Sequence, residues 1–280
     1  MSWHESLKDR VALVTGAGRG VGAALAHKLA AAGAAVVVGD LDAAPAHATV
    51  EAIRGAGGEA AAFIGDITQP DYGTRVIACM LETFGGVDII VNNAGYVWNS
   101  SLHKTSDAQW QAMLDCHATA PFRILRAAGD FIRRVVRDEE SAGTAHYRKV
   151  VNVSSIAGLY GGATQIAYSA AKAAQVGITR TLAKEWARYR VNVNCVGFGF
   201  IDTRLTQVWE GDSPAHIAVG GRDYAVGFSA DAAEDLRAII PMGRAGTPEE
   251  AAGAVYLFCL PESDYITGEV LVAGGGLLSY

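Results

Sequence analysis

The chain has 280 residues, 50% of them hydrophobic and 19% charged, with a formal net charge of −6. That is a globular composition with ample material for a core, and no basic cluster is present to track a nucleic-acid backbone. No run approaches the roughly 20 apolar residues that a bilayer span needs, so neither a nucleic acid nor a membrane is expected as partner.

The opening MSWHESLKDR is polar and lacks the apolar stretch of a signal peptide. VALVT (11–15) reads as the first strand and runs into TGAGRGVG (15–22), followed by a helical stretch. AVVVGD (35–40), AAFIGD (61–66) and VDIIVNN (87–93) are the next apolar runs, nearly continuous as expected of strands covered on both faces. Ser106 and Gln109 have the spacing of a helix capping box. Arg133, Arg134 and Arg137, followed by Asp138, Glu139 and Glu140, read as a solvated helix end, and RDEESAGTAHYR (137–148) as a polar surface excursion. KVVNVSS (149–155) and RVNVNCV (190–196) are further strands. Residues 203–245 are long and irregular and carry Trp209, Tyr224 and Phe228, which suggests a substrate lid. Thr247-Pro248-Glu249-Glu250 is a helix start, and EVLVAGG is the closing strand. Repeated β-α units with short connections imply α/β architecture: one domain over 1–280, a doubly wound parallel sheet with helices on both faces.

The four cysteines (Cys79, Cys116, Cys195, Cys259) lie far apart without a CxxC, which suits a reducing compartment and a cytoplasmic location. Seven histidines form no HExxH helix, and the neighbours Cys116 and His117 diverge by roughly 100° on a helix. No metal is expected.

The glycine turn follows the first strand of a parallel sheet, where residues without a Cβ let backbone approach a pyrophosphate at a helix N-terminus. Gly16, Gly20 and Gly22 are spaced GxxxGxG. Asp40 ends the second strand, where an acid accepts from the adenosine ribose and repels a 2′-phosphate. Asp42 adds charge of the same sign, and Arg19 in the turn pulls the other way. NAD(H) is therefore expected over NADP(H). Tyr168 and Lys172, in YSAAK (168–172), share one helix face at i and i+4. In a cleft they would form a proton-handling pair.

TGAGRGVG, NNAG (92–95), VNVSS (151–155) and YSAAK stand in one order and spacing, and in these the chain resembles the short-chain dehydrogenase/reductase family. The subgroup it resembles most is the 3-oxoacyl-[acyl-carrier-protein] reductases and related hydroxyacyl and hydroxysteroid dehydrogenases. The resemblance implies a Rossmann-like fold and a homotetramer or homodimer. It implies that Tyr168 is the catalytic acid/base, that Lys172 holds the nicotinamide ribose and lowers the tyrosine's pKa, and that Ser155 hydrogen-bonds the substrate oxygen. Ser154 is then only its neighbour. The turn residues Arg19 and Val21 beside the three glycines, and Leu41 beside Asp40, fall at cofactor positions. Asp66 and Ile67 match the adenine end. Asn93, Ala94 and Gly95 would lie under the cofactor, and Ile201 and Thr203 would meet the nicotinamide carboxamide.

Elementary chemistry agrees, since hydride transfer from an alcohol leaves a proton to be taken. A tyrosine of free pKa about 10 needs a nearby cation to serve near neutral pH. Two positions depart from the family pattern. Phe198, in GFGFIDT (197–203), replaces a proline, either reshaping the nicotinamide end or packing inward. His117, in MLDCHATAPF, replaces an asparagine that the resemblance implies is catalytic. That residue shapes its helix and offers a backbone carbonyl to the proton path from Lys172. His117 is expected to do the same, with an imidazole proton relay as the sharper alternative. The expected activity interconverts a secondary alcohol and a ketone, best guessed as a 3-oxoacyl or 3-hydroxyacyl thioester. A steroid-like, sugar or other hydroxyl substrate is the runner-up. A dinucleotide-sensing protein without turnover is the reading from another class.

Overall fold

The computed structural model describes residues 5–209, 215–219 and 221–277. Residues 1–4 of the polar start, and 210–214 and 220 of the expected lid, lie outside them. Elements alternate as anticipated: β1 (Val11–Thr15), α1 (Gly20–Ala31), β2 (Ala35–Asp40), α2 (Ala43–Gly55), β3 (Glu59–Ile64), α3 (Tyr72–Phe84) and β4 (Ile89–Asn92). There follow α4 (Asp107–Leu114), α5 (Ala120–Ala142), β5 (Arg148–Ser155), the short α6 (Ile156–Tyr160), α7 (Ile166–Trp186) and β6 (Val191–Phe198). The chain then forms β7 (Ala215–Val219), β8 (Arg222–Val226), α8 (Ala230–Ala238), α9 (Pro248–Leu257) and β9 (Val270–Ala273).

The main sheet has the order β3-β2-β1-β4-β5-β6-β9, every pair parallel. The order reverses beside β1, so a crevice opens at the carboxyl ends of β1 and β4, where ligands of such sheets sit. Alternation on the strands feeds two cores. Ala12, Val14, Val36 and Val38 pack with Leu25, Leu29 and Val255 of α1 and α9 on one face. Val11, Leu13 and Val37 pack with Val76, Ile124 and Trp186 of α3, α5 and α7 on the other. Both expected capping boxes form, Ser106 with Gln109 at α4 and Thr247 with Glu250 at α9. The long segment at 203–245 is not irregular throughout, because β7 and β8 pair as an antiparallel hairpin and α8 starts on a Ser229 cap.

The expected surface excursion at 137–148 is exposed over 140–144 but does not stay on the surface throughout. α5 continues through the three arginines to Ala142, so they line its exposed side, with Arg133 paired to Asp130, and do not mark its end. Glu139, His146 and Arg148 nevertheless turn inward, where their charges find partners, while Tyr147 stays exposed. Arg148, 3% exposed, forks onto Glu139 at 2.9 and 2.5 Å and donates to the Val87 carbonyl. His146 donates to Asp88 at 2.7 Å, and Asp88 also accepts from the Val11 amide. The cluster ties the N-terminal ends of β1, β4 and β5 together, at the edge opposite the crevice. Burial pushes the Asp88 carboxyl up, but the bonds from His146 and Val11 and the Arg148 charge outweigh it and hold it below its ordinary value.

Removing one partner of such a cluster strands a buried charge. Arg148→Met is expected to cost about 3–5 kcal/mol of unfolding free energy at neutral pH, read by chemical denaturation; a loss under about 1 kcal/mol would show that the cluster is solvated. Because Asp88 is depressed in the fold, its contribution is present above the unfolded value of about 4 and fades as pH falls through the folded value. The wild type should lose stability over that acidic window.

Candidate active site

A cleft of about 910 Å³ opens at the carboxyl edge of the sheet. Every catalytic and cofactor-binding candidate read from the sequence lines it. Gly16, Arg19, Gly20, Val21 and Gly22 come from the turn, and Asp40, Leu41, Asp66 and Ile67 from the ends of β2 and β3. Asn93, Ala94 and Gly95 follow β4, while Ser155, Tyr168 and Lys172 come from β5 and α7. His117 and the pair Ile201 and Thr203 complete the set.

The turn fits a dinucleotide. Gly16 and Gly20 adopt φ of +65° and +53°, and a Cβ on Gly22 would stand 2.1 Å from the Gly16 carbonyl oxygen. The N-terminus of α1 has no side-chain cap and no acid in its first turn, so its amides remain for an anion. Asn93 braces the turn by donating to the carbonyls of Thr15 and Gly16 at 2.9 and 3.2 Å. Thr15, which sequence reasoning passed over, accepts from the amides of Asn93 and Ala94, both at 3.0 Å. Asp40 accepts from the Gly18 amide at 2.8 Å and from the Asp42 amide at 3.0 Å, which aims its carboxylate into the cleft's rim. Arg19 pairs with Asp42 at 2.6 Å, so the cation that favoured a 2′-phosphate already has an anion. Asp66 accepts from the backbone and hydroxyl of Thr68 in a tight turn.

At the other end, adjacent serines on β5 point opposite ways, as strand pleating requires. Ser154 donates to the Lys172 carbonyl at 2.8 Å and fastens α7 to the sheet. Ser155 accepts from the Ala157 amide, starting α6, and its hydroxyl hydrogen-bonds Tyr168. Lys172, 4% exposed, donates to the Val153 carbonyl at 2.7 Å, and its ammonium lies 5.8 Å from the centre of the Tyr168 ring. The expected lowering of the tyrosine's pKa is not found in the protein itself. Burial pushes Tyr168 up to about 12, against the Ser155 hydrogen bond, and pushes Lys172 down to about 8. Both charged forms lose water here, and the lysine's charge does not outweigh that loss for the phenol. At neutral pH Tyr168 is therefore a protonated phenol, a donor.

α4 widens into a single π turn at Asp115–Thr119 before α5 begins, a device common at functional sites. It carries His117, which is 1% exposed. Its Nε2–H donates to the Tyr96 carbonyl at 2.8 Å, which fixes the tautomer and leaves Nδ1 a buried acceptor without a protein partner. Burial and the Lys172 charge hold the imidazole well below its ordinary pKa, so it is neutral. The carbonyl expected to serve the proton path accepts from Gln175 at 2.6 Å, leaving it one lone pair. Gln175 sits three residues beyond Lys172 on the same helix face, so the spacing that singled out the lysine could have found it.

Phe198 packs inward against the core, partly buried, and also lines the cleft. Of the three aromatic residues assigned to a lid, Tyr224 and Phe228 line the cleft and Trp209 does not. Tyr96, Val97, Phe200 and Leu205 add an apolar wall that sequence reasoning missed. Tyr96 stands directly after NNAG, a position that could have drawn notice.

The chain matches the family model described as short chain dehydrogenase over residues 10–213. It is 37% identical to the short-chain reductase protein NovJ of Streptomyces niveus, covering 96% of this chain and 94% of that one. It is 34% identical to a 3-oxoacyl-[acyl-carrier-protein] reductase of Vibrio cholerae, with 97% and 98% covered. A solved structure from Agrobacterium tumefaciens with bound NADP, provisionally described as a 2-deoxy-D-gluconate 3-dehydrogenase, superposes with a TM-score of 0.78. It is 32% identical and covers 98% of each chain. Relatives of this identity, matched across almost the whole length, leave one assignment: the chain belongs to the short-chain dehydrogenase/reductase family and is an oxidoreductase acting on CH–OH and carbonyl groups.

Proposed function

We propose that the protein interconverts a ketone and a secondary alcohol on a 3-oxoacyl or 3-hydroxyacyl substrate. The observation that carries this reading is that Tyr168, Ser155 and Lys172 meet in one cleft with the glycine turn. A bound nicotinamide dinucleotide supplies or accepts the hydride. Ser155 holds the substrate oxygen, and the Tyr168 hydroxyl gives it a proton as the carbonyl becomes an alcohol. Lys172, held by Val153, fixes the charge beneath the phenol and offers its remaining N–H groups to a ribose. These groups keep positions that a silent nucleotide sensor would not need.

Support for an acyl substrate comes from the 3-oxoacyl reductases among the relatives and from the apolar wall of Tyr96, Leu205, Tyr224 and Phe228. A sugar-type substrate is the second reading. It is favoured by the description of the Agrobacterium relative and by Asn99 and Gln165, which line the cleft and hydrogen-bond each other at 3.0 Å. For the coenzyme, Asp40 and the neutralised Arg19 favour NAD(H), while the NADP in that relative's structure speaks for the other coenzyme. The deciding assay is oxidation of NADH and NADPH with a panel of 3-oxoacyl thioesters and ketosugars. Turnover of the ketosugars alone would overturn the acyl reading.

Tyr168→Phe keeps the ring and removes the proton. It should lower kcat by at least about a hundredfold while cofactor affinity, read by fluorescence, changes by less than about threefold. A variant retaining a third of wild-type kcat would remove Tyr168 from the acid/base role.

Asp40→Ala should raise the ratio of kcat/KM for NADP(H) over NAD(H) by about tenfold, since a charged hydrogen bond and a repulsion are lost together. Asp40→Asn, which keeps an acceptor for the Gly18 amide, should move the ratio in the same direction. An unchanged ratio in both would show that Asp40 does not read the ribose.

A further inference from the structure

Two small clusters flank the cleft. One gathers Met113, Ala167 and Ala171 of α4 and α7, with Tyr168 against them, and the other gathers Tyr224 and Val226 of β8 with Leu205. Tyr96 and Trp98 belong to both. The contacts between them form one line. Tyr224, 4% exposed, packs on Tyr96 with ring centres 4.7 Å apart, and edge-on with Trp98 at 4.8 Å. The Tyr96 carbonyl fixes the His117 ring, and that ring meets Tyr168 edge-on at 5.3 Å.

His117 has no room to adjust independently. A Cβ on Gly95 would stand 2.3 Å from its Cε1, so Gly95 lies hard against the imidazole. Gln175 fixes its backbone from α7. Its one side-chain hydrogen bond goes to Tyr96, the residue on which the hairpin rests.

We propose that His117 is a positioning residue for Tyr168 and that its position is set from the β7–β8 hairpin by Tyr224 acting through Tyr96. This rests on Tyr168 being the acid/base. The consequence is that whatever presses on Tyr224 in the cleft is felt at the phenol. A substrate seated against that wall thus tunes the proton donor without touching it.

The groups facing the phenol are Lys172 from α7, Cys116 and His117 from the π turn, and Ser155 from the end of β5. Burial holds Cys116 up at about 12 and His117 neutral, so Lys172 is the charge among them. Loosening the line lets water reach the phenol, which lowers its pKa toward the free value of about 10. Lys172, held down at about 8 by the same burial, rises as it gains water, so the alkaline limb of kcat, which reports the pair, shifts.

The test is a double-mutant cycle with Tyr224→Leu and His117→Asn, reading kcat against pH together with cofactor affinity. Each single variant should lower kcat about tenfold and shift the alkaline limb, with cofactor affinity held within about threefold. The double variant should be no more than about threefold worse than the poorer single one, where independent effects would multiply. Tyr224→Phe, which keeps the ring, should restore the wild-type limb. Losses that multiply, or an alkaline limb unmoved in Tyr224→Leu, would overturn the coupling. If His117→Asn does not fold, the Tyr224→Leu and Tyr224→Phe profiles decide alone. Tyr168→Phe separates the two levels: if it turns over, the acid/base reading itself is wrong, and if it is dead while the cycle is additive, only the coupling is.

Discussion

Two hydrogen bonds between α7 and β5 set the phase of the active site. Lys172 reaches down to the Val153 carbonyl, and Ser154 reaches across to the Lys172 carbonyl. Together they fix both the depth and the rotation of the helix on the strand. With the lysine pinned at the bottom, Tyr168 one turn earlier must stand at the mouth, and the next residue on the strand, Ser155, must face it. The same pinning keeps the ammonium dry. That dryness, more than any pairwise attraction, governs the protonation of both groups.

Much of this was legible because the sheet is buried on both faces. Apolar runs such as VALVT and AVVVGD read as covered strands, and α4 and α9 announced their starts with capping boxes. The site residues were legible for a related reason: backbone that must approach a ligand needs glycine, and a helical pair at i and i+4 must share a face. What stayed hidden depends on partners distant in the chain. Nothing local tells that Arg148 is buried, since Glu139, Asp88 and the Val87 carbonyl make that tolerable. The hairpin at 215–226, by contrast, did carry a local signal that was passed over, Gly220-Gly221 between AHIAV and RDYAV. The raised Tyr168 pKa could not be read at all, because spacing reports neighbours and not their hydration.

The coenzyme end joins recognition to folding in one carboxylate. Asp40 holds the amides of Gly18 and Asp42, so the group that would read a ribose also shapes the loop that receives the phosphates. Arg19, paired outside it with Asp42, closes the rim with an ion pair that is roughly half exposed. Such a pair is weak and screened by salt. On the proposed reading, coenzyme choice would rest on a rigid anion and a loose cation.

The contact between Gly95 and the His117 imidazole makes two positions far apart in sequence a single unit of change. With the ring in place, position 95 admits no side chain, however small. A redesign that swaps the histidine for a smaller residue opens a void against the sheet's edge, and one that adds a methyl group at 95 must first evict the ring. Sequence drift across this pair has to pass through the smaller partner first, so the histidine narrows the routes by which the glycine after the second asparagine of NNAG can vary.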